Sequence, residues 1–344
     1  MAGPTRDGIA AIVEKPAAEA AIESLRSEGI YDETRRVQAR DDDHVAIPIT
    51  GIPDSTDVSA LRRVDLPPRT RGLEAILRKR GVDESVLEAA PSSWAVIGDV
   101  VLVDFGDVSA PESLAAADRE TIGEALLELH GNADTVLARG GVEGERRDPS
   151  TAVVAGTGGT ETVHVEHGTE YAIDFSEVMF SPGNKAERAR MGEVVADGER
   201  VFDMFAGIGY FTLPMARAKA RVTAAEIDPD AYRLLVENAR RNGVADRVRP
   251  VFADCRTVET VADRVVAGYY DAYEYLDSAL EALAPGGVLH LHEATPEPLF
   301  PERPLGRLTE AVETADRTFE VLETRTVKSH SAGVVHGVVD ASIE

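Results

Sequence analysis

The stretch that most constrains this chain runs from Glu199 to Ala216, ERVFDMFAGIGYFTLPMA. A short apolar strand (Val201, Phe202) ends at Asp203, Ala206-Gly207-Ile208-Gly209 makes a turn, and an apolar helix resumes at Tyr210. Strand, glycine turn and helix in that order place backbone N–H groups and a helix N-terminus at the carboxyl end of a parallel strand, where an anionic or zwitterionic group is stabilised. The glycines let a ligand approach the main chain closely. The spacing is G-x-G followed by Tyr210, Phe211 and Thr212, so the third glycine of a dinucleotide fingerprint is missing and a pyrophosphate is not the expected ligand.

Two more acids sharpen this. The next strand, Arg221 to Ala225, runs into Glu226-Ile227-Asp228-Pro229, and Glu226 lies where a carboxylate takes both ribose hydroxyls. A third strand, Val248 to Phe252, ends in Ala253-Asp254-Cys255, and Asp254 is placed to accept from an adenine amino group. Successive strands ending in Asp203, Glu226 and Asp254 describe a pocket for an adenosine carrying an amino-acid tail, which S-adenosylmethionine fits best. Ordinary α/β turns with N-capping acids are the competing reading.

The chain is long enough for two or three domains. It contains no run of about 18 apolar residues, and MAGPTRDGIA lacks a charged-then-apolar leader, so a soluble, cytoplasmic protein with no membrane contact is expected. A single cysteine, Cys255, excludes a disulfide framework and a cysteine-based zinc site, and no metal is expected. A net charge of −25 ordinarily argues against a nucleic-acid partner. Here, however, there are only five lysines amid abundant Asp, Glu, Ala and Val, which resembles the surface of a protein from an extreme halophile. In concentrated salt the Debye length is about 3 Å or less, so long-range repulsion of a polyanion is small.

Taken in order, residues 1–65 alternate helix (Ala17 to Glu28) and strand (Tyr31 to Arg40, His44 to Ile49) on a small scale and read as an accessory binding domain. LRRVDLPPRTRGLEAILRKR, from Leu61 to Arg80, concentrates arginines around Pro67-Pro68; it reads either as a solvated helix with a linker or as a phosphate-contacting strip. Residues 66–180 form a mixed α+β domain, with a hairpin around Gly98-Asp99, a helix from Arg119 to Leu129, and paired strands across His167-Gly168. Arg146 and Arg147 sit in a loop of this domain. Residues 181–344 form the catalytic domain. Ser181-Pro182-Gly183-Asn184 is a turn suited to N-cap a helix bearing Lys185, Arg188 and Arg190, which brings Arg188 near a cofactor carboxylate. Further strands over Asp263 to Tyr270 and Val288 to His292, and a closing pair over Phe319 to Val327 and Val334 to Ala341, complete a seven-stranded sheet. The predicted fold is α/β, class I methyltransferase-like (Rossmann-like), with smaller N-terminal α+β domains. His290 and His292 share a strand face and read as rim or packed side chains rather than metal ligands.

FSPGNKAER (Phe180 to Arg188), DMFAGIGYF (Asp203 to Phe211), EIDP (Glu226 to Pro229) and HLHE (His290 to Glu293), in this order, resemble the archaeal tRNA-modifying group. That group holds the tRNA guanine-37 N1-methyltransferases and the wybutosine-pathway aminocarboxypropyltransferases. The methyltransferases resemble FSPRL where this chain has FSPGN, so Gly183 stands in place of their arginine. They also carry an Asn-Leu-Pro type signature where this chain has Ala267-Gly268-Tyr269. Both departures favour the transferase branch, with a guanine-37 N1-methyltransferase as the alternative. The resemblance implies transfer of the 3-amino-3-carboxypropyl group of S-adenosylmethionine to 4-demethylwyosine at position 37 in the anticodon loop of tRNA(Phe), by a monomer whose first domain grips the tRNA. It further implies that Ser181 and Arg188 hold the methionine moiety, Glu226 the ribose, and Asp254 with the Cys255 backbone the adenine, while Asp203 and Gly207 shape the tail's site.

Overall fold

A computed structural model of the chain describes residues 8–41, 43–64, 66–67, 72–106, 114–143 and 148–344. Arg69, Arg71, Arg146 and Arg147 lie outside the described residues. The chain divides into two compact units, Met1–Ala90 and Pro91–Glu344.

In the first unit, β1 (Ile9–Glu14), β2 (Gln38–Ala39), β3 (His44–Ile49) and β4 (Ala60–Arg63) form an antiparallel sheet in the order β2-β3-β1-β4. Helix α1 (Ala18–Ser27) packs Ala21 and Leu25 against Ala11, Val13, Ile47 and Ile49. The strand expected over 31–40 is reduced to Gln38–Ala39 and a single bridge from Tyr31 to Ile49. The centre of the sheet is β1 instead. Its four middle residues are buried on both faces, so no alternation of apolar and polar residues marks it in the sequence. Helices α2 (Leu73–Arg80) and α3 (Glu84–Ala89) follow, and Arg78 bonds Glu74 at 2.9 Å and Glu84 at 2.8 Å, so part of the basic segment is neutralised by its own neighbours.

The second unit opens with the hairpin of β5 (Trp94–Ile97) and β6 (Val100–Val103). After α4 (Ala116–Leu129) come β7 (Thr135–Glu143) and β8 (Asp148–Gly156), giving a sheet β5-β6-β7-β8 in which β6 and β7 are parallel. Strands β9 (Glu161–Glu166) and β10 (Thr169–Asp174) then pair across His167-Gly168, whose φ angles of 48° and 76° make the tight turn.

Helix α5 (Lys185–Val194) leads into the large sheet. Its parts are β11 (Arg200–Asp203), α6 (Thr212–Arg217), β12 (Arg221–Glu226), α7 (Pro229–Arg241), β13 (Val248–Phe252), β14 (Ala262–Ala267), α8 (Leu276–Ala282), β15 (Leu283–Pro296), α9 (Glu302–Thr314), β16 (Phe319–Ser331) and β17 (Val334–Ile343). The seven strands lie in the order β13-β12-β11-β14-β15-β17-β16, and β17 is antiparallel to both neighbours while the other six share one direction. This is the class I methyltransferase-like arrangement expected from the sequence. Strand order reverses between β11 and β14, and in open parallel sheets the crevice at the carboxyl ends of such a pair takes the ligand. The parallel strands carry apolar runs because helices cover both faces: Val201, Phe202, Ala224, Ala225, Val265 and Val266 are all buried.

Helix α7 starts beside that crevice. Asp228 N-caps it, its carboxylate accepting from the N–H groups of Asp230 at 2.7 Å and Ala231 at 3.0 Å. Asp228→Ala is expected to cost about 0.5–2 kcal/mol, read as a lower urea midpoint with an unchanged slope; an unchanged midpoint would show that the cap contributes nothing.

Candidate active site

The carboxyl ends of β11, β12 and β14, with the turn before α5, enclose a cavity. Its polar wall includes Ser181, Asn184, Arg188, Gly207, Glu226 and Asp228, and its apolar wall includes Phe205, Tyr210, Phe211, Tyr269, Tyr270 and Tyr275. The turn after β11 needs its glycines: Gly207 has φ 54° and a Cβ there would stand 2.4 Å from the Tyr210 ring, while Gly209 has φ 102°.

Glu226 holds this turn. One carboxylate oxygen accepts from the Gly207 N–H at 2.7 Å and the other from the Asp228 N–H at 2.8 Å. Burial pushes its pKa upward, against the pull of these N–H groups. Each oxygen retains a further lone pair for a hydroxyl donor. Asp203 lies beneath, fully buried, accepting from Thr212 Oγ1 at 2.6 Å, and burial raises its pKa to about 6.

Arg188 is bound more tightly than the sequence implies. Its Nε and Nη2 donate to Glu166 at 2.7 and 2.9 Å, and Nη1 donates to the Ser181 carbonyl at 2.9 Å. The guanidinium also lies over the Phe180 ring, 4.7 Å from its centroid. Burial alone raises the Glu166 pKa, but hydrogen bonds from His164 and Arg188 and the Arg188 charge hold it at about 2. The side-chain cap expected at the start of α5 is absent: Pro182–Asn184 is a turn of 3-10 helix, and no side chain bonds the helix N-terminus. Ser181 Oγ instead accepts from Lys328 Nζ at 2.6 Å, and Asn184 Oδ1 is buried without a hydrogen-bond partner.

Of the residues predicted from sequence, Ser181, Arg188, Gly207 and Glu226 meet on the cavity wall. Asp203, Asp254 and Cys255 are not among its lining residues. The Asp254 carboxylate is engaged by Arg256, whose Nε lies at 2.9 Å and Nη2 at 2.5 Å, and this pairing lowers its pKa. Cys255 is buried, which pushes its thiol up to about 12 and makes it an unreactive core residue.

The two histidines of HLHE are packed away from the cavity. His290 Nδ1 lies 2.6 Å from Asp340 and its Nε2 lies 2.6 Å from Arg264; since arginine only donates, Nε2 accepts and Nδ1 carries the proton. His292 Nδ1 meets His336 Nε2 at 2.9 Å, and it is His336 that reaches the cavity. Sequence spacing had no access to His336, Lys328 or Glu166, because each arrives from a strand remote in the chain. Among the described residues no cluster of His, Cys, Asp and Glu is placed to hold a metal ion, and no helix is long and apolar enough to cross a membrane.

The wall fits an adenosine with an amino-acid tail: paired acceptors at Glu226, a glycine turn that a Cβ would close, flat aromatic faces, and an orphaned polar atom at Asn184. The family described as TRM5/TYW2 methyltransferase domain matches residues 162–322, and the TYW2 N-terminal domain matches residues 73–160. The tRNA(Phe) (4-demethylwyosine(37)-C(7)) aminocarboxypropyltransferase of Pyrococcus horikoshii is 35% identical over 282 residues, which are 80% of this chain and 99% of that protein. The chain belongs to the TRM5/TYW2 family, on its TYW2 side. The structure of P. horikoshii TYW2 in complex with MeSAdo is similar at a TM-score of 0.67 and 34% identity, over 79% of this chain and 97% of that one. Trm5b of Pyrococcus abyssi, a tRNA (guanine(37)-N(1))-methyltransferase, is 33% identical over 73% of this chain and 74% of its own length. Its crystal structure has a TM-score of 0.75 at 28% identity, over 98% of this chain and 99% of that one. A complex of aTrm5 with tRNALeu is similar at a TM-score of 0.72 and 25% identity, over 98% of this chain and 100% of that one.

Glu166→Gln leaves the buried Arg188 charge unmatched and is expected to cost on the order of 3 kcal/mol at pH 7. The folded pKa of about 2 lies below the ordinary 4.5, so this stabilisation is whole above about 4.5 and is lost as pH falls toward 2. Urea unfolding of both proteins at pH 7 and pH 3 checks it: the gap should narrow in acid, and a gap that ignores pH contradicts the pairing.

Proposed function

We propose that the chain transfers the 3-amino-3-carboxypropyl group of S-adenosylmethionine to carbon 7 of 4-demethylwyosine at position 37 of tRNA(Phe). This is the reaction named for the P. horikoshii relative. The observation that favours it over guanine methylation is the loop after β14. A Cβ at Gly268 would stand 2.7 Å from the Phe211 ring, so the middle residue of an Asn-Leu-Pro type signature would not fit here unless that ring moved. Gly183, at the position of the methyltransferases' arginine, supports the same reading.

In the reaction, carbon 7 attacks the γ-carbon of the tail, the S–Cγ bond breaks with its electron pair on sulfur, the carbon 7 proton is lost, and neutral methylthioadenosine leaves. The protein's part is alignment: Glu226 holds the ribose, Ser181 and Arg188 border the methionine moiety, and Asp203 with Gly207 shapes its site. Asp254 and the Cys255 backbone take the adenine once Asp254 gives up part of its pairing with Arg256. Holding the γ-carbon in line with sulfur at the acceptor is sufficient to choose among the three S–C bonds.

The partner is a tRNA, met at its anticodon loop by a cytoplasmic monomer of three parts: residues 1–65 grip the tRNA, 66–180 form the middle domain, and 181–344 carry the chemistry. The aTrm5–tRNALeu complex supports a tRNA partner. The acidic surface suits a halophile's salt, where local arginine contacts, such as those from Arg62 and Arg63, act without long-range repulsion.

Digestion of tRNA(Phe) carrying 4-demethylwyosine after incubation with the protein should yield one nucleoside heavier by an aminocarboxypropyl group; a methyl gain on unmodified guanosine would place the chain with the methyltransferases. Deleting residues 1–65 is expected to weaken tRNA modification while S-adenosylmethionine binding persists. Undiminished modification would remove the accessory domain from the account.

A further inference from the structure

The hairpin of β16 and β17 brings Lys328 to the cofactor turn. Its Nζ donates to Ser181 Oγ at 2.6 Å. Its stem lies against Gly183, where an added Cβ would stand 3.0 Å from Lys328 Cδ and 3.6 Å from Nζ. Gly183 is not among the residues with a positive φ, so the turn does not require a glycine for its backbone; what the glycine supplies is room for the lysine.

An aminocarboxypropyl tail is a zwitterion, and its carboxylate needs a cation. Arg188 offers little, because Glu166 meets it with two hydrogen bonds and both side chains are 3% exposed. Lys328 and Ser181 form a donor pair at one end of the turn. At the other end, Asn184 Oδ1 is a buried acceptor with no hydrogen-bond partner, on the wall of the same cavity as Ser181. The turn therefore brings together a cationic donor, held on Ser181, and an unused acceptor at Asn184, the two kinds of group that an α-amino acid's carboxylate and ammonium require.

We propose that Lys328, seated over Gly183 and against Ser181, binds the carboxylate of the S-adenosylmethionine tail while Asn184 Oδ1 accepts from its ammonium. The turn then fixes the direction of the tail. Gly183 and Lys328 act as a pair, because a side chain at 183 displaces the lysine. This rests on S-adenosylmethionine as the ligand and not on which of its carbons is transferred.

Titration calorimetry of the full chain with S-adenosylmethionine and with methylthioadenosine, which lacks the tail, tests the proposal in wild type, Lys328→Gln and Gly183→Ala. Loss of one charge-assisted contact should weaken S-adenosylmethionine about 10- to 100-fold and methylthioadenosine less than about 2-fold in Lys328→Gln. Gly183→Ala should act in the same direction, and it carries the test alone if Lys328→Gln does not fold, since it leaves every charged group in place. Unchanged S-adenosylmethionine affinity, or an equal loss for both ligands, overturns the proposal. A wild-type protein that binds neither ligand, or that methylates tRNA, instead refutes the reading of the function and is visible without the ratio.

Discussion

Arg188 and Glu166 form a bidentate ion pair in the interior, and the cofactor wall is built on it. A guanidinium out of water is tolerated only when its charge is matched and its donors are satisfied. Glu166 comes from the end of β9, Arg188 from α5, and the third donor of Arg188 takes the Ser181 carbonyl, so one side chain ties the hairpin, the helix and the turn together. The Phe180 ring packs under the guanidinium. The position of Ser181 is therefore a consequence of charge matching elsewhere, and the Ser181–Asn184 turn can face the cavity without helix caps of its own.

On the opposite side Glu226 plays the corresponding part with backbone instead of a cation. By accepting from the Gly207 and Asp228 N–H groups it joins the glycine turn after β11 to the start of α7, so one carboxylate positions both. Asp203 sits buried below, and burial keeps its proton more firmly bound than in water. Aromatic cover adds to the cost of gathering acids here, because it excludes water: Phe205 meets Tyr275 edge-on at 5.0 Å and Tyr269 at 5.2 Å, leaving flat apolar faces beside the polar wall.

The sequence was most legible where structure depends on neighbours in the chain. Apolar runs closed by Asp203, Glu226 and Asp254 are the β11, β12 and β13 ends, and the Phe319–Ile343 hairpin follows from two β-rich runs about a turn. The seven strands and the closing antiparallel pair of the large sheet could be read because each strand carries its own apolar run. Illegible features were of three kinds. Strand β1 hid because burial on both faces erases its alternation. Glu166, Lys328 and His336 hid because their roles come from tertiary contact, as with Lys328 and Ser181, 147 positions apart. Asp254 shows a third limit: spacing placed it at a strand end correctly, but a neighbour two residues on, Arg256, claims its carboxylate.

The reaction proposed for this cavity breaks the bond between sulfur and the γ-carbon. The most direct test is to identify the sulfur compound released when the protein, S-adenosylmethionine and tRNA(Phe) bearing 4-demethylwyosine react in concentrated potassium chloride. Methylthioadenosine, in amounts equal to the tRNA modified, is the predicted result; S-adenosylhomocysteine would mean that the methyl carbon is the one attacked and that the tail's seating has been misread.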